Sequence, residues 1–272
     1  MSSGAAVDVH AHVLAAPGGT VDQVAYQPFA APVSAYLAHL DQLGLSRGVL
    51  VNPSVYRQDH TVLLDALRAH PDRLRGVAVV PSEVDDAVLD ELHEAGVRGA
   101  RVQNLMPGGL PIDELPALLP RMAERGWHLE VWTDLTEHLP VVRAAIESGQ
   151  VPILLDHLGN LPAAAADPDR GTATLRQLLG AGPCWVTLSG AYRILPGRTE
   201  AQAARALQHR VDAVLDAAPD RVVWGSDWPY VAPPGPRPTA DDHRSVLEAW
   251  LPDDELRRRV LSANPAVLYG WP

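Results

Sequence analysis

Two histidines one residue apart, in Asp8-Val9-His10-Ala11-His12, are the first residues in this chain whose types and spacing could do chemistry. The segment reads as a strand. Side chains alternate along a strand, so Asp8, His10 and His12 are expected on one face with the two imidazoles about 7 Å apart. Imidazoles held in this way can ligate a metal, move a proton, or donate hydrogen bonds to an oxygen that is gaining charge. A lone His-x-His is more often a hydrogen-bonded pair in a core. Two distant stretches shift that balance: Asp156-His157-Leu158-Gly159 and Gly225-Ser226-Asp227-Trp228-Pro229. Each follows a short apolar run that also reads as a strand, so a third imidazole and a carboxylate arrive at strand ends as well.

Elements that could bring such distant residues together recur along the whole chain. Runs rich in β-branched residues and leucine predict strands at 7–12, 48–51, 76–80, 99–102, 128–132, 152–156, 185–188 and 222–225. Between them, apolar residues at helical spacing predict helices at 33–43, 61–69, 85–95, 112–124, 139–147, 172–179, 201–217 and 241–250. A final helix is predicted at 253–261. Eight strands alternating with eight helices predict an α/β fold, a single-domain (β/α)8 TIM barrel over residues 1–272 with an extra C-terminal helix. The longer connections are the strand-to-helix ones, at 13–32, 158–171, 189–200 and 228–240, as expected of a barrel whose site lies at the C-terminal mouth. An open doubly wound sheet is the alternative, weakened by the lack of a glycine-rich phosphate loop after the first strand.

Composition narrows the function classes. The chain is 47% hydrophobic with a formal net charge of −11, which suits a globular core and argues against nucleic acid or an anionic membrane as partner. Cys184 is the single cysteine, so no intramolecular disulfide can form, and no apolar run is long enough for a membrane span. No basic, apolar leader is evident. A cytoplasmic enzyme with a small anionic substrate, as a monomer or a homo-oligomer, is the expectation. His39, His60, His70, His93, His138, His209 and His243 fall on predicted helices or their ends and are expected to be solvated.

In a barrel all strand ends meet at one mouth. Besides the three histidines and Asp227, that mouth would receive Ser54, Tyr56, Arg101, Trp132, Tyr192, Arg193 and Tyr230. Arg101 and Arg193 are planar forks suited to a substrate carboxylate. Ser54, Tyr56 and Tyr192 could add hydrogen bonds, and Trp132 and Tyr230 could form pocket wall.

Together, Asp-x-His-x-His, Asp-His-Leu-Gly, Gly-Ser-Asp-Trp-Pro, Ser189-Gly190-Ala191-Tyr192-Arg193 and the terminal Asn264-Pro265-Ala266-Val267-Leu268-Tyr269-Gly270 resemble the amidohydrolase superfamily. The resemblance spans the chain and is strongest to the branch of 2-pyrone-4,6-dicarboxylate lactonase and sugar lactonases. It implies a hydrolase that opens a small carboxylated lactone. Mononuclear zinc members of the superfamily add a histidine from the fifth strand. Here that strand ends in Trp132-Thr133-Asp134, and His128 sits at its far end. The resemblance therefore implies a metal-free reaction, with Asp227 as general base and His10, His12 and His157 polarising the carbonyl. If a divalent zinc or manganese ion is bound, its ligands would be His10, His12 and Asp227, with His157 close by. The alternatives are a metal-dependent decarboxylase of an aromatic or unsaturated acid on the same barrel, and a non-hydrolytic or recruited biosynthetic member. The loop at 104–109 carries Leu105-Met106 where the pyrone lactonase has a basic position, which points to a monoanionic or partly apolar lactone. The connection at 13–32, with Gly18-Gly19 as hinge, is the expected lid.

Overall fold

A computed structural model describes residues 5–15, 26, 29–162, 170–231 and 237–271. Most of the expected lid, including Gly18 and Gly19, lies outside the described residues. Eight strands form one parallel sheet in chain order: β1 Val7–Ala11, β2 Arg47–Val51, β3 Leu74–Ala78, β4 Val97–Gln103, β5 His128–Trp132, β6 Ile153–Leu155, β7 Cys184–Leu188 and β8 Val222–Trp224. The segment after β8 returns to β1. Asp227 N–H donates to the His10 carbonyl at 2.8 Å, and His12 N–H donates to the Trp228 carbonyl at 2.7 Å. This closes the expected (β/α)8 barrel and ties the two ends of the candidate site together.

Strands covered on both faces carry apolar side chains in both directions. Outward residues such as Leu50, Ala100, Val102 and Leu155 pack under the helices, among them α1 Val33–Leu43, α2 Thr61–Ala69, α3 Asp86–Glu94, α4 Leu115–Arg125, α5 Leu135–Ser148 and α6 Arg170–Ala181. Inward residues Val7, Val9, Val49, Val51, Val77, Leu154, Trp185 and Val223 fill the lower lumen with Leu268, Tyr269 and Trp271 from the C-terminal end.

One expectation about β1 needs correcting. The register slips between Asp8 and Ala11. A bulge of this kind puts an extra residue into the strand and changes which side chains share a face. Asp8 pairs with Gly48, where any Cβ would run into the Tyr36 ring of α1. Asp8 therefore faces the helices, accepting from Ser226 N–H at 2.8 Å and from its hydroxyl at 2.6 Å. His10 and His12 still face the lumen.

Several boundaries also moved. The helix expected over 201–217 is two, α8 Glu200–Ala206 and α9 Gln208–Ala217, broken at Leu207. The short turn α7 Ala191–Ile194 precedes them. α5 starts before Pro140, because the Asp134 carboxylate accepts the Thr136 N–H at 2.7 Å and caps it. After α10 Ala240–Trp250, the expected terminal helix becomes α11 Asp254–Arg258, a π turn at Arg259–Ala263, and α12 Asn264–Tyr269. Pro265 falls inside this continuous helical run and is accommodated directly after the π turn. Asn264 donates to the carbonyls of Pro219 and Val222 at 2.8 and 2.7 Å, fastening α12 under β8.

Candidate active site

At the upper lumen His10 sits beside the other two imidazoles, its ring centre 5.1 Å from that of His12 and 4.8 Å from that of His157. Gly225 permits this, since a Cβ there would lie 2.5 Å from the His10 Cβ. The turns that present His157 and Asp227 are left-handed, with φ of 51° and 60°. L-residues hold this conformation only where the surroundings impose it, and such residues concentrate at functional sites.

Asp227 is the hub and is fully buried. Its Oδ2 accepts from the Tyr192 hydroxyl at 2.6 Å and from Arg193 Nε at 2.7 Å. Its Oδ1 lies 3.8 Å from both His10 Nε2 and His12 Nε2. A second carboxylate stands across His10: Asp156 Oδ1 is 3.5 Å from His10 Nδ1, and Asp156 Oδ2 is 2.8 Å from Arg101 Nη2. Glu130, deeper on β5, lies 4.0 Å from His10 Nδ1 and takes a hydrogen bond from the Tyr269 hydroxyl at 3.2 Å.

This arrangement sorts the charges. Burial works against a charged His10, but the Asp156 carboxylate outweighs it and raises the imidazole above its usual value. Burial, helped by the neighbouring His10 and Arg101, pushes His12 down to about 3. Burial also holds His157 well below the usual range. For Asp227, burial would favour the acid, yet Arg193 and the surrounding histidines hold it well below the usual carboxylate range. Asp156 is likewise kept low against burial by Arg101 and His10. The site thus favours the charged form at His10, the neutral form at His12 and His157, and the carboxylate form at Asp227 and Asp156.

Tautomers follow from the backbone. His12 Nδ1 is 2.8 Å from the Val51 carbonyl, which can only accept, so this nitrogen carries the proton. In the neutral ring Nε2 is then a lone pair facing Asp227. His157 Nδ1 is 2.8 Å from the Ser189 hydroxyl.

Around these groups is a narrow pocket lined by His12, Tyr26, Ser54, Arg101, Gln103, Trp132, His157 and Arg193, with Pro53, Met106 and Val231 as its apolar wall. Two guanidiniums lie against the Trp132 ring, with Arg101 5.4 Å and Arg193 5.2 Å from its centre. The Gln103 amide closes the turn that presents Met106, accepting Met106 N–H at 3.0 Å and donating to its carbonyl at 3.1 Å.

Of the residues anticipated, His10, His12, His157, Asp227, Arg101, Arg193, Ser54 and Trp132 meet here, with the Tyr192 hydroxyl on Asp227. Tyr56 and Tyr230 do not line the pocket. The Tyr56 hydroxyl accepts Ala15 N–H at 2.8 Å, and the Tyr230 hydroxyl is 3.3 Å from His243 Nδ1. Trp228 packs against Tyr36 and His39. His39, His60 and His243, expected to be solvated, are buried. Sequence reasoning gave no role to Asp156, Gln103 or Glu130, although Asp156 and Gln103 stand at strand ends that the barrel brings to the mouth; Met106 was read from its loop as an apolar position facing the substrate.

His10 Nε2, His12 Nε2 and Asp227 Oδ1 lie within 4.8 Å of one another, as a divalent ion requires. The rest of the site fits an ion poorly. The other oxygen of Asp227 is bound by a guanidinium, His10 is drawn toward the charged form by Asp156, and Trp132 occupies the β5 end where a further ligand would stand.

A family model described as Amidohydrolase matches residues 7–271. The 4-sulfomuconolactone hydrolase of Rhizobium radiobacter is 32% identical over 97% of this chain and 89% of its own. The 2-pyrone-4,6-dicarboxylate hydrolase of Comamonas testosteroni is 29% identical over 98% and 90%. A crystal structure from Pseudomonas putida, described as a 2-pyrone-4,6-dicarboxylic acid hydrolase, superposes with a TM-score of 0.86 at 31% identity over 98% of each chain.

Proposed function

This chain belongs to the amidohydrolase family and is a hydrolase, and we propose that it opens a small carboxylated lactone by water attack without a resident metal. The observation that carries the reading is the buried Asp227, paired with Arg193 and placed beside His10, His12 and His157 at the pocket floor.

Water is held between Asp227 Oδ1 and the His12 Nε2 lone pair. Asp227 takes its proton as the oxygen attacks the lactone carbonyl carbon. His10, as the imidazolium, donates to the carbonyl oxygen where negative charge develops, and His157 supports it. On this reading His12 orients the nucleophile; its geometry does not suit polarising the carbonyl. When the tetrahedral intermediate collapses, the ring C–O bond breaks and the proton on Asp227 passes to the departing oxygen, leaving a ring-opened acid. A carboxylate clamped by Arg193 is a weak base. A substrate carboxylate that shares this guanidinium loosens the clamp and returns basicity to Asp227, which couples binding to chemistry. Arg101 and Arg193 take the acidic group, and Pro53, Met106 and Val231 face the remainder, so singly charged lactones are the expected substrates.

The test is a panel of mono- and dicarboxylated lactones followed by proton release, with metal content measured on protein purified without chelator. Activity that survives chelation and falls by about 10²-fold or more in Asp227→Asn is expected. One zinc or manganese ion per chain, with activity lost on its removal, would overturn the metal-free mechanism and favour decarboxylation on the His10, His12 and Asp227 donors.

A further inference from the structure

Glu200 is a buried carboxylate that takes no part in the steps above. It is 6% exposed and opens α8. Its own helix does not need it as a cap, because Thr199 and Gln202 form a complete capping box there. Instead its carboxylate reaches back across the loop. Oε2 accepts Tyr192 N–H at 3.0 Å, and Oε1 lies 3.4 Å from Ala191 N. These are the first N–H groups of α7, the single helical turn whose next side chains, the Tyr192 phenol and the Arg193 guanidinium, both end on Asp227 Oδ2.

We propose that Glu200 is a positioning residue that seats Tyr192 and Arg193 on Asp227 by holding the α7 turn from behind. A turn of four residues cannot hold its own geometry. On one side Gly190 approaches His157 so closely that a Cβ would lie 2.6 Å from Nδ1. On the other the chain runs through Gly197, at φ 84°, to α8. Glu200 is the cross-link between the two ends of this loop. Asp227 lies on the far side of the turn, so the two carboxylates face each other through the backbone and the side chains that separate them. Burial, with the Asp227 charge adding to it, lifts Glu200 to about 7, while the two backbone N–H groups and Arg193 oppose the rise. The anchor therefore holds a carboxylate in a place that disfavours its charge, as expected where the position of the turn matters more than stability.

The inference rests on Asp227 as the base for its kinetic readout alone. Glu200→Ala and Glu200→Gln are compared with the parent enzyme. In Gln the amide keeps the volume, but its NH2 opposes one of the two N–H donors, so both variants should loosen the turn, Ala more than Gln. The first readout needs no substrate: carbon-13 NMR of aspartate-labelled protein, with the Asp227 signal assigned from Asp227→Asn. Loosening Tyr192 and Arg193 should raise the Asp227 titration midpoint by about half a pH unit or more, and the acid limb of kcat/KM should move with it. A kcat lowered about tenfold in folded Glu200→Ala, with partial recovery in Glu200→Gln, completes the expected result. An Asp227 titration that does not move in folded Glu200→Gln would overturn the proposal, whether or not Glu200→Ala folds. A moved titration with an unmoved kinetic limb would leave Glu200 as the positioning residue and remove Asp227 as the base.

Discussion

Asp227 and Asp156 are two buried carboxylates, each neutralised by one arginine, and the arginines share the Trp132 ring. Arg101→Gln would leave Asp156, which is fully buried, with His10 alone beside it. Removing one partner of a buried pair strands the other, at a cost of about 3 kcal/mol or more. Arg68→Gln is the control, since its pair with Glu91 is more than half exposed and worth about 1 kcal/mol or less. Urea midpoints at neutral pH should separate the two clearly; similar small losses would mean that the Arg101 pair carries no such burden. At this scale the sequence was legible where a residue's place in the chain decides its place in the barrel. His10, His12, His157 and Asp227 stand at strand ends, and strand ends converge. It was not legible where the direction of one side chain decides. The phenols of Tyr56 and Tyr230 sit near the mouth in sequence, but their hydroxyls turn to Ala15 and His243. Glu200 sits at a helix start, where an acid needs no special explanation.

Among the elements, the loops after β6, β7 and β8 set the site, and the Gly190 turn carries a tight constraint. Its φ of 59° disfavours any L-residue, and an added Cβ would meet the His157 ring at 2.6 Å. Gly190→Ala should therefore displace His157 from Ser189 and shift α7 with it. The strain itself costs roughly 1–2 kcal/mol, while hydrolysis should fall about tenfold or more. Kinetics and thermal unfolding measured on the same preparation test this. A variant with parental kcat/KM would show that the turn does not position the site. The boundaries that sequence placed wrongly share one cause. The break at Leu207, the start of α5 ahead of Pro140 and the helix through Pro265 are settled by caps and tertiary contacts such as Asp134 with Thr136 and Asn264 with β8. Hydrophobic spacing alone does not record these. The slip in β1 belongs here too. Perfect alternation would have put Asp8 in the lumen, and one bulge put it against α1 instead.

For the whole molecule, burial of titratable groups links stability to pH. Burial pushes His12 to about 3, His39 to about 4 and His243 to about 3, and holds His157 well below its usual range. Their unfolded values lie near 6.5. Between about 6.5 and 4 the unfolded chain therefore binds protons that these folded histidines refuse, and stability falls as pH falls through that window. Each such histidine contributes about 1.4 kcal/mol per pH unit once titration is complete in the unfolded chain. Asp8, lifted by burial to about 6, and Glu200, lifted to about 7, work the other way. They bind protons in the folded state before the unfolded chain does, so acidification recovers part of the loss, and the raised His10 adds to that recovery. His60 and His93, also lowered by burial, add to the groups that refuse protons, and the net expectation is a protein that loses stability from neutral pH to about 5, though less steeply than its buried histidines alone would dictate. His39 and His243 make the prediction specific, because they lie behind the site with ring centres 5.3 Å apart. In His39→Phe/His243→Phe two of the groups that refuse protons are gone and the opposing groups remain. Its urea midpoint should change less between pH 7.5 and 5 than that of the parent, or rise. A midpoint that falls in parallel with the parent would place the acid sensitivity in other groups.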